Sequence, residues 1–212
     1  MSKDLWLKRI RNYAGFLGML LPWLSLIGNA LYHGFKPRWG EFSISATYYT
    51  TPALVAVLTA ASIVLMCYDG YSKQDSIVTT ISGVFGLMIV LFPCDCSVAP
   101  KYVGFFQLPV EVSNVIHCTS ACIFFILLAY NDIFLFTKYE WDMTKKKKLR
   151  NKIYYICGFG MIAAMALMVI PSIDFPAKTW WVEMIALTFF GVSWLTKGGA
   201  FSFLNDELID TI

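Results

Sequence analysis

A histidine, His117, lies in a long apolar stretch, residues 111–136, together with other polar side chains at helical spacing. Imidazole can hold a polar ligand, respond to protonation or act as a base. An ionisable group at membrane depth normally faces a protein interior or a water-filled cavity. At 100° per residue, one predicted face of a helix carries His117 with the following neighbours: Glu111, Asn114, Cys118, Ala121 and Cys122. We therefore expect this face to point into a polar cavity.

Further polar residues are expected at the same end of the molecule as His117. Ser45 and Tyr49 precede the second apolar segment, Asn114 lies one turn before His117, and Glu183 lies about one turn inside the last apolar segment. The hydroxyl groups would donate hydrogen bonds, and Glu183 would supply charge. The set predicts a site that binds or passes a lipid or a small solute, with these ligand-binding residues: Ser45, Tyr49, Asn114, His117 and Glu183.

Two other functions fit the same residues. In a membrane-embedded lipid hydrolase, His117 would be the base or a metal ligand and Ser43 or Ser45 the nucleophile, with Asp95 or Glu183 as the orienting acid. The chain has no G-x-S-x-G motif, and its cysteines match no established zinc spacing, so no metal ligand is assigned and the cofactor stays unknown. In a structural or accessory subunit, the buried polar groups would only hold helices together.

The composition places the chain among membrane proteins. Hydrophobic residues make up 58% of the 212 residues, charged residues only 15%, and the mean hydropathy is +0.61. Soluble proteins average about 25% charged residues. A bilayer-spanning helix needs roughly 20 residues, so the length allows several spans and no separate soluble domain. We expect residues 1–212 to form a single transmembrane domain.

Six apolar segments predict an all-α protein, a bundle of six transmembrane helices. Pro93 and Pro171 follow two of the segments directly, and Gly198 and Gly199 end the last one. The expected spans are residues 13–32, 52–68, 76–92, 112–136, 153–170 and 179–196.

The distribution of lysine and arginine predicts the orientation of these spans. One side of the six-span arrangement receives 13 of the 17 basic residues, including those near the N-terminus. By the positive-inside rule, both termini are cytoplasmic, and the expected location is a bacterial inner membrane. Asn131 and Asp132 then lie on the cytoplasmic side with Asp69, Asp75 and Asp142, and most of these residues are expected near interfaces where water reaches them.

A run of four lysines is expected in a short cytoplasmic loop between the fourth and fifth spans. Such a run sets the orientation and contacts anionic lipid headgroups. The net charge of +3 therefore indicates no nucleic-acid partner. The expected partners are membrane lipids and, in a homo-oligomer, further copies of the chain. The residues predicted to contact the headgroups are Lys145, Lys146, Lys147 and Lys148.

Three segments resemble an uncharacterised family of bacterial multispan membrane proteins. They read SISATYYT before the second span, YDGYSKQD leading to VFGLMIVLFP, and IHCTSACIFF followed later by IFLFTK. The family pattern reads closer to SISAYYHT, a span end like ALFPT, and a histidine followed by Ser-Ala. His117, Ser120 and Ala121 match it, whereas Thr50 stands where the family has a histidine. The likeness covers about residues 40–138 and implies a multispan membrane protein. The chain is also faintly similar to alkaline-ceramidase-type membrane hydrolases, but it does not contain their HxxxH pair.

Overall fold

The computed structural model describes residues 3–34, 42–138 and 143–206. This part of the chain is all-helical apart from one two-stranded hairpin, which confirms the predicted all-α class. Its six α-helices are α1 (Lys3–Tyr32), α2 (Ala53–Met66), α3 (Lys73–Leu91), α4 (Val110–Tyr130), α5 (Lys145–Met168) and α6 (Lys178–Gly198).

Four of these helices are long and apolar enough to cross a membrane, judged by length and composition: α1, α3, α4 with the turn that extends it to Leu135, and α5. The α2 helix has only 14 residues. The α6 helix has 21 residues but is not among those four. Helices of this kind are typical of an integral membrane protein.

Two helices begin well before their apolar segments. The α1 helix starts at Lys3 rather than at residue 13, and α5 starts at Lys145 rather than at residue 153. The lysine run is therefore the first turn of α5 and not a loop, which corrects the prediction. The Thr144 hydroxyl caps this turn by accepting a 3.0 Å hydrogen bond from the Lys147 amide. Hydropathy finds only the apolar part of a helix, whereas lysine is itself a good helix former.

The start of α3 has an ordinary local cause. Ser72 accepts a hydrogen bond from the Asp75 amide, and the Asp75 carboxylate accepts one from the Ser72 amide at 3.0 Å. This reciprocal capping box satisfies backbone donors that a helix leaves unpaired at its N-terminus. Lys138 also pairs with Asp75 at 2.7 Å, which ties the chain after α4 to the start of α3.

A short hairpin connects α3 to α4 and sets where α4 begins. Its strands, β1 (Tyr102–Val103) and β2 (Leu108–Pro109), pair antiparallel. Gly104 begins the turn with φ +71°, and a Cβ there would approach the Leu91 carbonyl oxygen to 2.5 Å, so both conformation and space require glycine. The hairpin thereby holds the start of α4 against the end of α3.

One apolar core contains side chains from all six helices, for example Leu7 of α1 and Val182 of α6. The α1 and α6 backbones approach most closely at two glycines. A Cβ added to Gly15 would lie 2.8 Å from the Gly191 carbonyl oxygen, and a Cβ on Gly191 would lie 2.8 Å from the Gly15 carbonyl oxygen. Small residues at a helix crossing allow this close approach.

Candidate functional site

The candidate site lies at the end of the bundle where α3 finishes and where α2, α4 and α6 begin; we call this the His117 end. The chain enters it through a short 3₁₀ helix, Ser45–Tyr49, directly before α2. Phe42 and Ile44, which precede that helix, are buried. Burial of these two apolar side chains anchors the segment and leaves its polar groups beside the first turns of α4 and α6.

Glu183 of α6 accepts hydrogen bonds from this segment. The Ser45 hydroxyl donates to Oε1 at 2.7 Å, and the Ile44 amide donates to Oε2 at 2.6 Å. Both donors lie at the start of the 3₁₀ helix. An amide at this position, such as that of Ile44, has no partner within the helix. Glu183 therefore closes the N-terminal end of the segment from 139 positions away in the sequence.

His117 of α4 completes the cluster from the opposite side of Ser45. Its Nε2 atom lies 3.1 Å from the Ser45 hydroxyl oxygen. Its Nδ1 atom lies 2.9 Å from the Phe92 carbonyl oxygen and 3.1 Å from the Ile89 carbonyl oxygen. Ile89 lies in the last turn of α3 and Phe92 directly follows that helix, so neither carbonyl group has a helical donor. We call Ser45, His117 and Glu183 the polar trio.

Tyr49 and Asn114 are near the trio but bind a different segment. The Tyr49 hydroxyl donates to the Cys94 carbonyl oxygen at 2.8 Å, and Asn114 Oδ1 accepts from the Asp95 amide at 3.0 Å. Both side chains hold the chain that follows α3. The structure thus brings together three of the five predicted ligand-binding residues and assigns the other two to backbone contacts.

Ionisation of the groups around that segment is suppressed by burial. Burial raises the pKa of the Tyr49 hydroxyl, and the neighbouring Cys94 raises it further. Burial also raises the pKa of the Cys94 thiol, with a smaller contribution from the Glu183 carboxylate. Since the thiolate is the reactive and metal-binding form of cysteine, Cys94 is poorly suited to either role. Within the described ranges, no three His, Cys, Asp or Glu side chains come close enough to hold a metal ion.

The buried face of α4 differs from the predicted one. His117 is buried, with 4% of its surface exposed, but its face is shared with Ser113, Ser120 and Phe124. Three members of the predicted polar face are instead exposed on the helix surface: Glu111, Cys118 and Cys122. The prediction of one polar stripe facing the interior is therefore wrong for these three residues.

A cavity of about 40 Å³ lies beside the trio, on the other side of the 3₁₀ segment. This volume exceeds the 10–15 Å³ or so that one water requires. Ser45, His117 and Glu183 are not among its lining residues, so it is a neighbouring space. The polar residues that line it include Asn29, His33, Ser43, Thr47 and Thr50.

Two buried charged residues at the opposite end were not predicted. Arg11 of α1 has 2% of its surface exposed and donates to the Tyr68 hydroxyl from Nε at 3.1 Å and from Nη2 at 2.8 Å. Asp132, in the π-helical turn Asn131–Leu135 after α4, is completely buried, as is Asn131. The expectation that most polar residues of this side lie where water reaches them therefore does not hold for Asn131 and Asp132. The signals that could have indicated these two residues are a basic residue, Arg11, in the third turn of α1 and a carboxyl group, Asp132, inside an apolar run.

The fold and the trio define an all-helical protein of membrane type with a polar cluster at one end. Comparison of the chain with protein-family profiles, with curated proteins and with solved structures finds no match. The resemblance to the bacterial multispan family therefore stays a prediction.

Proposed function

We propose that this protein binds or passes the polar part of a lipid or a small polar solute at the His117 end. The observation that carries the proposal is the convergence of Ser45, His117 and Glu183 from three separate segments of the chain. Polar groups are costly at membrane depth and mark ligand or ion sites when they meet inside a bundle. Ser45 and Glu183 are partly exposed, whereas His117 is buried, so a ligand would meet the serine and the carboxyl first.

In this proposal the six helices all cross a bacterial inner membrane and both termini are cytoplasmic. The abundance of basic residues at the end opposite His117 supports that orientation. Lys145 and Lys148 are exposed and would contact anionic headgroups, whereas Lys147 is buried and would not. Reporter fusions that report the side of the membrane, placed after Asp174 and at the C-terminus, test the arrangement. Both fusions on one side would contradict it.

The binding proposal is tested by the lipids that the protein retains. The full chain is purified from bacterial membranes in a mild detergent, and retained lipids are identified by native mass spectrometry. Ser45→Ala and Glu183→Ala should each lose most of a bound species that the unsubstituted chain keeps. Ser172→Ala, at an exposed loop serine, should keep it. Equal retention in all four proteins would refute a lipid site at the trio, and the same comparison with added polar solutes covers the solute case.

A lipid hydrolase is a second candidate because His117 Nε2 lies 3.1 Å from the Ser45 oxygen and the carbonyl groups of α3 orient the ring. That is the arrangement of a serine nucleophile and its base. However, the Ser45 hydroxyl lies closer to Glu183, and the Ile44 amide, a candidate oxyanion donor, is already bound to Glu183. A fluorophosphonate probe distinguishes the two functions. Labelling of the chain that Ser45→Ala abolishes would establish the hydrolase.

A further inference from the structure

The hydrogen atoms of the polar trio can be counted from its geometry. Ser45 Oγ lies between Glu183 Oε1, at 2.7 Å, and His117 Nε2, at 3.1 Å. A hydroxyl group has one hydrogen to donate and two lone pairs to accept with. His117 Nδ1 faces only carbonyl oxygens, those of Phe92 and Ile89, which cannot donate. Nδ1 therefore carries a hydrogen, and Nε2 of the neutral ring is an acceptor.

With no further proton in the trio, the contacts cannot all be hydrogen bonds. A neutral His117 and an ionised Glu183 are both acceptors, and the single Ser45 hydrogen can serve only one of them. The other contact would then place two acceptors against each other. Because His117 is buried, an unmade hydrogen bond at its ring nitrogen is destabilising.

With one proton added, there are two arrangements in which every contact of the trio is a hydrogen bond. If the proton is on His117, Nε2 donates to Ser45 and Ser45 donates to Glu183. If the proton is on Glu183, Oε1 donates to Ser45 and Ser45 donates to Nε2 of His117. With two protons, both ends donate to Ser45 and its own hydrogen has no acceptor in the trio.

We propose that Ser45, His117 and Glu183 form a binding site for one proton, which passes between the imidazole and the carboxyl through the serine hydroxyl. In the transfer the Nε2–H bond of His117 breaks as a new Oγ–H bond forms at Ser45. The original Oγ–H bond breaks as the Oε1–H bond of Glu183 forms. The trio has no net charge in either arrangement, so the exchange moves charge within the site without leaving an uncompensated buried ion. This inference does not depend on the ligand proposed above.

The titratable groups around the trio form no ion pair with its members. The Cys94 and Cys118 thiols interact electrostatically with Glu183, the Tyr49 hydroxyl is bound to the Cys94 carbonyl, and His33, directly after α1, lines the neighbouring cavity. Among the described residues, no salt bridge involves Glu183 or His117. No adjacent ion pair therefore replaces the shared proton.

The test measures both ends of the trio in one sample. The chain has two histidines, so His33→Gln leaves His117 as the one imidazole. The ¹⁵N-histidine NMR spectrum of this protein in nanodiscs gives the fraction of His117 that is imidazolium. The infrared carboxylic-acid band that disappears in Glu183→Gln gives the fraction of Glu183 that is protonated.

The two fractions should sum to one from about pH 6 to 8. A sum near zero, with neutral His117 and ionised Glu183, would overturn the proposal, and so would a sum near two. Ser45→Ala should remove the complementarity, because the bridging hydroxyl is absent, and unchanged complementarity would contradict the role of Ser45. If Glu183→Gln fails to fold, ¹³C-glutamate labelling of the His33→Gln protein identifies the glutamic-acid band by its isotope shift instead.

Discussion

The Ser45 hydroxyl donates a 2.7 Å hydrogen bond to Glu183 Oε1 across 138 positions of sequence. This bond and that of the Ile44 amide attach the segment before α2 to the first turns of α6. Because His117 contacts the same serine, three parts of the chain meet at one oxygen atom. The segment is held by these polar bonds as well as by burial of its apolar side chains.

Glu183→Ala should destabilise the protein more than Glu183→Gln. Alanine leaves the Ile44 amide and the Ser45 hydroxyl without their acceptor, at about 1–3 kcal/mol for the buried amide and less for the partly exposed hydroxyl. Glutamine keeps an oxygen for the amide. Thermal unfolding of the purified proteins in detergent measures the difference, with Glu111→Ala at an exposed position as the control. Equal losses for the two Glu183 variants would contradict this account of the carboxyl.

The meeting of His117 and Glu183 follows from the sequence, but the buried face of α4 does not. Alternating spans of similar length place the start of every second segment at the same end, which brings both residues to one depth. The face could not be predicted because a membrane protein's interior is no more apolar than its lipid-facing surface. Hydropathy therefore does not distinguish the exposed residues Cys118 and Cys122 from the buried residues Ser113 and Ser120.

Asp132 shows a second limit of the sequence. A regular α-helix places residues at 100° intervals, but the chain from Asn131 to Leu135 forms a π-helical turn, with the Phe136 amide bound to the Asn131 carbonyl at 2.9 Å. A π turn inserts one residue and rotates the rest of the helix relative to the regular spacing. Periodicity then gives no reliable direction for Asp132, and its complete burial depends on α5 and α6.

Asp132→Asn should raise the midpoint of thermal unfolding. Within the described part of the chain, neither carboxyl oxygen has a hydrogen bond of normal geometry, although Ser193 lies close enough to interact. A buried ionisable group without a partner is costly, and a neutral amide of the same shape removes that cost. The expected gain is about 1 kcal/mol or more. Asp4→Asn, at an exposed position, is the matched control, and a lower midpoint for Asp132→Asn would show that the carboxyl has a stabilising partner.

Gly191→Ala should destabilise the α1–α6 contact. The new Cβ would clash with the Met19 side chain and would lie 2.8 Å from the Gly15 carbonyl oxygen. The side chain can move, but the backbone oxygen cannot move without separating the helices, and such overpacking costs about 1–3 kcal/mol. Urea or thermal unfolding measures the loss. Ala163→Ser, at an exposed position of α5, should leave stability unchanged, and an equally stable Gly191→Ala protein would refute the close crossing.

Acidification should release the chain after α6 from α5. Asp206 pairs with Arg150 at 2.7 Å, and hydrogen bonds from Thr144 and Arg150 lower its pKa. A carboxyl with a lowered pKa stabilises the folded contact above the pKa of the unfolded chain and loses this effect as pH falls through the folded value. Since Asp206 is exposed, the effect should be small and weaker at high salt. Hydrogen exchange at the Leu204 amide measures the release of this part of the chain. In the Asp206→Asn variant this amide should exchange fast at every pH. An exchange rate unchanged by the substitution would exclude the contact.

Tyr68→Phe should be among the most destabilising conservative changes in the chain. Arg11 is buried and directs two of its donors to the Tyr68 hydroxyl, with a third contact at 3.4 Å to the Lys197 carbonyl oxygen. Removing the hydroxyl leaves a buried guanidinium without its main acceptor, and a hydrogen bond to a charged group contributes about 1.5–3 kcal/mol. Replacing both partners by apolar groups removes the charge as well as the acceptor. The double variant Arg11→Met with Tyr68→Phe should therefore recover most of the stability that Tyr68→Phe loses. Thermal unfolding of both single variants and of the double variant completes this double-mutant cycle. Additive losses of stability would show that Arg11 does not depend on Tyr68.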